Sequence, residues 1–583
     1  MFKDASLEQR LCAAVSTDEP AKLLDRFATL TRESGSVDER VAADYIIERL
    51  RAFGVPVTVY EPELYLSIPG PSELVVQGDV IRSRPPAFSV ATGDVPVSGE
   101  LVYVPSQYAG GTLSLFDTPT AAAADVAVDP VRGRVVITEG YSMPGAVQAF
   151  ERRGAVAQIF IHPGADIHEG ICTPIWGAPT HETIGFKPKV PVVCVNNPDG
   201  MRLIEMASAG AVTASIRTSL VEGWMPCVLP VAEIRGTEDP DEFLLLHGHY
   251  DSWYVGIGDN ATGDAALLEL ARVLHAHRAL LKRSIRIAWW PGHSTGRYGG
   301  STWYADHAAD DLDQWCIGHI NIDSPGCRDA TKYEEVMWMA EAAALCRESI
   351  KDATGEVATG VRPLRAGDYS FNQIGPTAFY MLSSNIPLEE RARRGYYAVG
   401  GNGGSPTWHT PNDLPPVAEL ANLIRDLHMF LTSIVRVVNA PVHPYDYTQA
   451  VDEMAAAVQK YSEAAGPGVG LGGVVTDLLQ LRAALEVWRA AAESRAATDE
   501  GRRDVNARLR RLSRILVPIN YAKGERFDHD PALKFGTVPR LEAAMKLASA
   551  PTAMRPFIKT ALVRERNKIR AMLRAAMREV EVA

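Results

Sequence analysis

Residues 38–53, DERVAADYIIERLRAF, set Val41, Ala42, Tyr45, Ile46, Leu50 and Phe53 on one face at the 3.6-residue period, which predicts a helix. Gly54 follows as its C-terminal stop, and the alternating VPVTVYE predicts a strand. From about 60 to 230 the pattern changes to short strands punctuated by Gly and Pro, with few long helices. VRGRVVITEG reads as a buried strand, MPGAVQAFERRGA as a helix and VAQIFIH as another strand. KVPVVCVNNPDGMRLIEMASAG repeats that alternation, so the stretch has the pattern of a separate α/β module.

A third regime begins near 241. The apolar run in DEFLLLHGHYDSW ends in a polar cluster, residues 264–278 form an amphipathic helix, and SIRIAWW and QWCIGHINIDSPG read as further strands. Strands alternating with helices of about 10–15 residues predict a mainly parallel sheet with helices on both faces. In such α/β sheets the chemistry gathers at the carboxyl ends of the strands. From about 415 onward nearly everything is helical: VAELANLIRDLHMFLTSIVRVV, then 448–464, 473–497 and 502–516.

Length and composition narrow this picture. At ~150 residues per domain, 583 residues suggest about four domains and exclude a single core. The 46% hydrophobic and 22% charged content is that of a globular chain, which excludes wholesale disorder and fibrous architectures. No apolar run approaches the ~18 residues of a membrane span. The opening MFKDASLEQRLCAAV shows no basic segment followed by an apolar one, so no signal peptide is expected. Seven scattered cysteines without CxxC spacing predict free thiols in a reducing cytoplasm.

The net charge of −12 argues against general nucleic-acid binding, but it is unevenly spread. Residues 501–583 hold 19 Lys and Arg against 8 Asp and Glu, a balance of +11, which leaves −23 for residues 1–500. That split predicts two parts of one assembly attracting each other.

Candidate chemistry lies at the strand ends. His249 and Asp251 stand in HGHYDSW, Asp259 in GIGDNATG, Asp323 after HINI, and His409 in the loop SPTWHTPND. Imidazole and carboxylate suit zinc or another divalent first-row ion, and a carboxylate bridging two ions suits activation of water. Each residue also has an ordinary reading: a hydrogen-bonded pair, a helix cap at Asp259, a loop carboxylate, a loop histidine.

The order HGHYDSW … GIGDNATGDAALLELAR … WWPGHSTGRYGGSTWYA … HINIDSPG … GDYSFNQIGPTAF … SPTWHTPND resembles the co-catalytic zinc aminopeptidase and carboxypeptidase family. Glutamate carboxypeptidase II and the transferrin receptor form its three-domain branch. The resemblance implies a split metallopeptidase-like domain over 1–64 and 231–440, an inserted protease-associated domain over 65–230 and a helical dimerisation-like domain over 441–583. It implies His249, Asp259, Asp323 and His409 as metal ligands, with Asp259 bridging and Asp251 as the carboxylate that orients His249. It also implies a homodimer joined through the helical domain.

The sequence departs from that pattern where the family carries a Glu–Glu pair, the general base followed by a ligand. Here His293 and Ser294 occupy those places. His293 has three readings: a metal ligand completing a site with Asp259 and His409, the general base itself, or a remnant in a non-catalytic protein. A site of three His and two Asp admits iron, manganese or nickel beside zinc, as one ion or two. Tyr298, Asp368, Ser370 and Trp408 are candidates for lining a substrate pocket. TAFYMLSS stands where relatives that take acidic substrates place arginines, so a non-acidic substrate is expected. Arg393 and Arg394 read as solvated, His247 as a buried structural histidine, and HPGADIHEGICTPIWGAPTH as a loop reaching over the cleft. Asn260-Ala261-Thr262 is a glycosylation sequon by pattern only. The expectation is a metal-dependent amidase or peptidase-like hydrolase acting on a small or short peptide-like substrate. The alternatives are a metal-dependent lyase and a non-catalytic, receptor-like homologue.

Overall fold

The computed structural model describes residues 2–106 and 130–581. Thus residues 107–129 of the stretch expected as an inserted domain lie outside the described residues. Numbered along the chain, the strands form two sheets. The first runs β1 (Val57–Tyr60), β9 (Leu229–Ile234), β11 (Arg283–Trp290), β10 (Asp239–His249), β12 (Cys316–Asn321), β13 (Ala378–Phe379). The second runs β3 (Asp79–Ile81), β2 (Glu63–Val76), β8 (Thr213–Pro226), β4 (Val97–Tyr103), β5 (Val135–Glu139), β6 (Ala157–Ile161), β7 (Val192–Val195).

Parallel pairing of β10 with both β11 and β12 sets the geometry of the first sheet. His249 stands opposite Trp290 and His247 opposite Asn321, so three strand ends open on one edge. β10 is central and its FLLLHGH run is buried on both faces, which is why it reads as a continuous apolar stretch. Leu244 and Leu246 turn to one side, where they share a core with Leu267, Leu270 and Leu274 of the helix Thr262–Ala276 and Leu427 and Ile434 of Leu420–Val438. Phe243 and Leu245 turn to the other, against Trp290, Leu312 and Phe371.

The long antiparallel pair β2–β8 leads from this body into the second sheet, with register from Glu63 opposite Pro226 to Val76 opposite Ala214. At its base the Ser67 amide donates to the Thr295 carbonyl at 2.9 Å, which ties the pair to the turn after β11. The predicted helix over 38–53 is Val37–Ala52, capped by Ser36, whose hydroxyl accepts from the Glu39 amide at 3.0 Å. The helix expected over 502–516 runs further, from Asp499 to Tyr521. Thr498 caps it, and Pro518 falls in its last turn.

The helical end, built on Tyr447–Ala465, Gly472–Arg495, Asp499–Tyr521 and Arg555–Val580, packs through residues such as Leu478, Leu485, Leu512 and Ile569 into the same continuous core as the body. The uneven charge meets here. Arg502 pairs with Asp239, Arg510 with Glu242 and Arg526 with Asp313. Glu242 also holds Arg283 at 2.6 Å and His443 at 2.9 Å. Basic side chains of the C-terminal segment therefore find acidic partners within the chain. No described helix is long and apolar enough to cross a membrane.

Candidate metal centre and cleft

His249 is the last residue of β10, and Asp323 comes two residues after β12. Asp259 precedes the helix Thr262–Ala276, and His409 sits in a loop with φ near 57°. Ligand atoms of His249, Asp259 and Asp323 all lie within 4.8 Å of one another. Asp259 spans two imidazoles: its Oδ1 is 2.9 Å from His249 Nε2 and its Oδ2 2.9 Å from His409 Nε2. Asp323 Oδ2 stands 3.9 Å from His249 Nε2.

Both rings are turned by their other nitrogen. His249 Nδ1 donates to the Asp251 carbonyl at 2.9 Å, and His409 Nδ1 donates to the Glu169 carbonyl at 2.9 Å. Each therefore turns Nε2 inward, where loss of its proton would offer a lone pair to a cation. His249 Nε2 and Asp259 Oδ1 are buried and, though close, make no aligned hydrogen bond. An orphaned imidazole nitrogen facing an orphaned carboxylate oxygen is a donor set that fits zinc or a similar divalent ion.

The electrostatics agree. Burial disfavours the charged form of His249, but the adjacent Asp251, Asp259 and Asp323 outweigh it and hold its pKa well above the ordinary histidine value. Burial likewise works against ionised Asp259, and the two histidines overcome it, so its pKa falls well below the usual range. Burial, then the charge of Asp259, pushes Asp323 up to about 6. Two carboxylates confined together in this way are relieved by a cation between them.

Asp251 differs in detail from the expectation. Its carboxylate is 3.6 Å from His249 Nδ1, and its shorter contacts lie elsewhere. It accepts from the amides of His293 (3.1 Å) and Ser294 (2.9 Å) and from the Ser34 hydroxyl (2.6 Å). The orienting role expected of the Asp251 carboxylate falls instead to the Asp251 carbonyl. Its carboxylate shapes the loop after β11, while its carbonyl turns the metal-site histidine.

His293 stacks face to face on His249, with ring centroids 3.7 Å apart and planes 14° from parallel. Unlike His409, whose Nε2 lies 2.9 Å from Asp259, His293 pairs with Asp368 and with neither Asp259 nor Asp323, so the geometry favours its other readings over the ligand. Instead Nδ1 of His293 donates to Asp368 Oδ2 at 2.8 Å, and Asp368 Oδ1 accepts from the Ser301 hydroxyl at 2.7 Å. The expected pocket roles of Asp368 and Ser370 change for the same reason. Asp368 is fully buried behind His293, and the Ser370 hydroxyl is taken by the Trp176 indole and by Ser301, both at 2.8 Å.

Tyr298 and Trp408 line the cleft, which encloses about 1200 Å³ including its mouth. Trp408 stacks on His409 at 3.6 Å, and Tyr298 meets His293 edge-on at 4.8 Å. The second sheet's Tyr141, His162 and Glu169 form part of the wall, and Leu533 and Lys534 reach it from the C-terminal segment. The loop at 162–170 thus touches the site directly. Arg297 and Arg365 also line it. Arg393 and Arg394 pair with Glu390 and do not line the cleft.

Two positioning residues escaped the sequence reading. Asp413 accepts from the amides of Gly258 (2.7 Å) and Asp259 (3.0 Å), and burial raises its own pKa to about 7. The fully buried Asn260 donates from Nδ2 to the carbonyls of His249 and Ile322, clamping the ends of β10 and β12 together. The sequon reading therefore has no accessible side chain behind it. The remaining signal for Asp413 was its place in the motif that holds His409.

Residues 231–425 match the model of peptidase family M28. A Zea mays protein described as "Probable glutamate carboxypeptidase VP8" is 25% identical over 548 residues, covering 81% of this chain and 73% of its own. The peptidase M28 precursor from Shewanella amazonensis superposes with a TM-score of 0.57 at 18% identity, covering 75% of this chain and 97% of that one. The zinc aminopeptidase BSAP from Bacillus subtilis gives 0.53 at 17% identity, covering 72% and 95%. Over residues 231–425 the chain is therefore similar to peptidase family M28, and its fold is that of the solved aminopeptidase structures.

Proposed function

We propose that the chain hydrolyses an amide bond of a small or short peptide-like substrate, with zinc held by His249, Asp259, Asp323 and His409. The observation that carries this reading is the Asp259 carboxylate set 2.9 Å from the Nε2 of both histidines. When bound, the ion would polarise the amide carbonyl and acidify water. His293 stands where relatives place their base, and its Nδ1–H is fixed on Asp368, so Nε2 is the atom that takes and returns the proton. Tyr298 and Trp408 flank the reacting group and exclude water from its apolar side.

Other parts of the reading are proposals of the same rank. The seven free cysteines, six of them buried, support a reducing, cytoplasmic setting. Exposed Met545, Met554 and Phe557 support a homodimer through the helical end.

The test is metal analysis joined to turnover on a panel of dipeptides and N-acyl amino acids. We expect stoichiometric zinc, activity lost to a chelator and restored by zinc, and loss of both metal and activity in Asp259→Ala. A wild-type protein that takes up no zinc overturns the reading. Ser294, in place of the family's carboxylate ligand, is the observation that favours the second, non-catalytic reading. Full zinc loading with no hydrolysis across the panel would establish it.

A further inference from the structure

Five arginines are buried among the described residues: Arg32, Arg283, Arg297, Arg391 and Arg436. Four of them are paired with carboxylates or backbone carbonyls, although Arg391 Nε and Arg436 Nη1 are left without a partner. Arg32 donates to the carbonyls of Tyr250, Val255 and Gly256. Arg283 pairs with Glu242, Arg391 with Glu335, and Arg436 with Glu8 and Asp352. Arg297 differs from all of these. It is 8% exposed, its Nε is buried without a partner, and no described carboxylate lies within ion-pair distance of it. A guanidinium does not shed its proton, so this charge is carried into the cleft wall uncompensated.

The backbone holds it there. Arg297 and Tyr298 both adopt left-handed φ values, 48° and 70°, on the turn after β11. The Arg297 carbonyl accepts from the Gly177 amide at 2.6 Å, pinning that turn to the second-sheet module. Its guanidinium carbon lies 5.2 Å from the centre of the Tyr298 ring, which also meets Trp176 at 4.2 Å and His293 at 4.8 Å.

Arg365 adds a second cation to the same wall. It lies flat on Trp176 at 3.5 Å, and its terminal nitrogens donate to the carbonyls of Tyr369 (2.9 Å) and Asp530 (2.6 Å). Its Nε is buried and unpartnered. Burial, with the Arg297 charge among the further causes, lowers its pKa to about 10, so the two guanidiniums sense each other.

We infer that Arg297, backed by Arg365, is the specificity-determining residue of a subsite that binds a carboxylate of the substrate. The inference rests on the hydrolase reading for the word substrate, and on the geometry alone for the anion. The planar fork of Arg297 matches a carboxylate, and Arg365 has one nitrogen left to give. Tyr298 separates the subsite from His293 by one ring, which places the carboxylate on the residue flanking the scissile amide.

Isothermal titration of the zinc-loaded full chain with succinate and with uncharged succinamide tests this. Succinate should bind wild type at least tenfold tighter than succinamide. Arg297→Leu should lose at least tenfold in succinate affinity with zinc content unchanged. Because that change removes an unpaired buried charge, its Tm should hold or rise, whereas a merely structural arginine would leave a less stable protein. Arg297→Lys, which keeps the charge without the fork, should fall between the two and serves should Arg297→Leu fail to fold. Equal succinate affinity in wild type and either folded variant overturns the inference. If no amide is hydrolysed but succinate binding depends on Arg297, the hydrolase reading falls and the subsite stands.

Discussion

His409 and Glu169, 240 positions apart, are joined by two hydrogen bonds. The Glu169 amide donates to the His409 carbonyl at 2.9 Å, and His409 Nδ1 donates back to the Glu169 carbonyl at 2.9 Å. A histidine of the candidate metal centre is thus aimed by the backbone of the inserted module. The Glu169 side chain anchors that backbone through Arg84 at 2.6 Å and the Tyr254 hydroxyl at 2.8 Å. Glu169→Ala should therefore weaken zinc binding by about tenfold or more, the usual cost of losing a partner that orients a ligand. Competition against a chromophoric chelator reads this, and an unchanged zinc Kd would show that the module does not position His409.

The His293–Asp368 pair predicts a different signature. Asp368→Asn removes the charge and one of the two acceptor oxygens that His293 Nδ1–H and the Ser301 hydroxyl share, and should lower kcat by about a hundredfold or more. Zinc content should stay at the wild-type level because these two residues pair with each other and not with Asp259, as His249 and His409 do. A variant that loses metal in parallel with activity would place His293 among the ligands instead.

Zinc affinity should depend on pH with a break near 6. In the absence of the ion, His249 is held protonated well above its ordinary pKa and Asp323 takes up a proton below about 6. A cation entering above that pH displaces one proton, from His249, and below it displaces two. The zinc Kd should rise about tenfold for each unit the pH falls in the upper range and about a hundredfold per unit in the lower. In Asp323→Asn the lower break should vanish; a pH-independent Kd in wild type would contradict this account.

Stability should fall with rising pH at a site remote from the metal. Glu341 is buried and its Oε2 has no partner, though Oε1 accepts from Thr377 at 3.0 Å; burial raises its pKa from 4.5 to about 7. Between those values the folded state keeps a proton that the unfolded state has released, so stability is lost as pH rises through the window. The full effect is about 3 kcal/mol. Glu341→Gln stays neutral, so it should be more stable than wild type at pH 8 and nearly equal to it at pH 4. Thermal melts across that range decide the matter.

Much of the fold was legible because its signals are local. The helical face of 38–53, the apolar run of β10 and the periodicity of residues 448–464 each repeat within a few turns or a few strand residues. The candidate ligands were legible because His249 and Asp323 end or follow apolar strands, where a parallel sheet gathers polar groups. The sequence by itself therefore determined the elements, the α/β class and the order of His249, Asp259, Asp323 and His409 along the chain.

Only the tertiary structure decided how those groups are used. Whether His293 meets a metal or Asp368 depends on a contact 75 positions away, and Asp413 reaches the Asp259 amide across 154. Arg297 looks like any surface arginine in the sequence, because what singles it out is the lack of a counter-charge around it. Hydrogen bonds and ion pairs act over a few ångströms of space, and the chain distances that close them here carry no periodic trace.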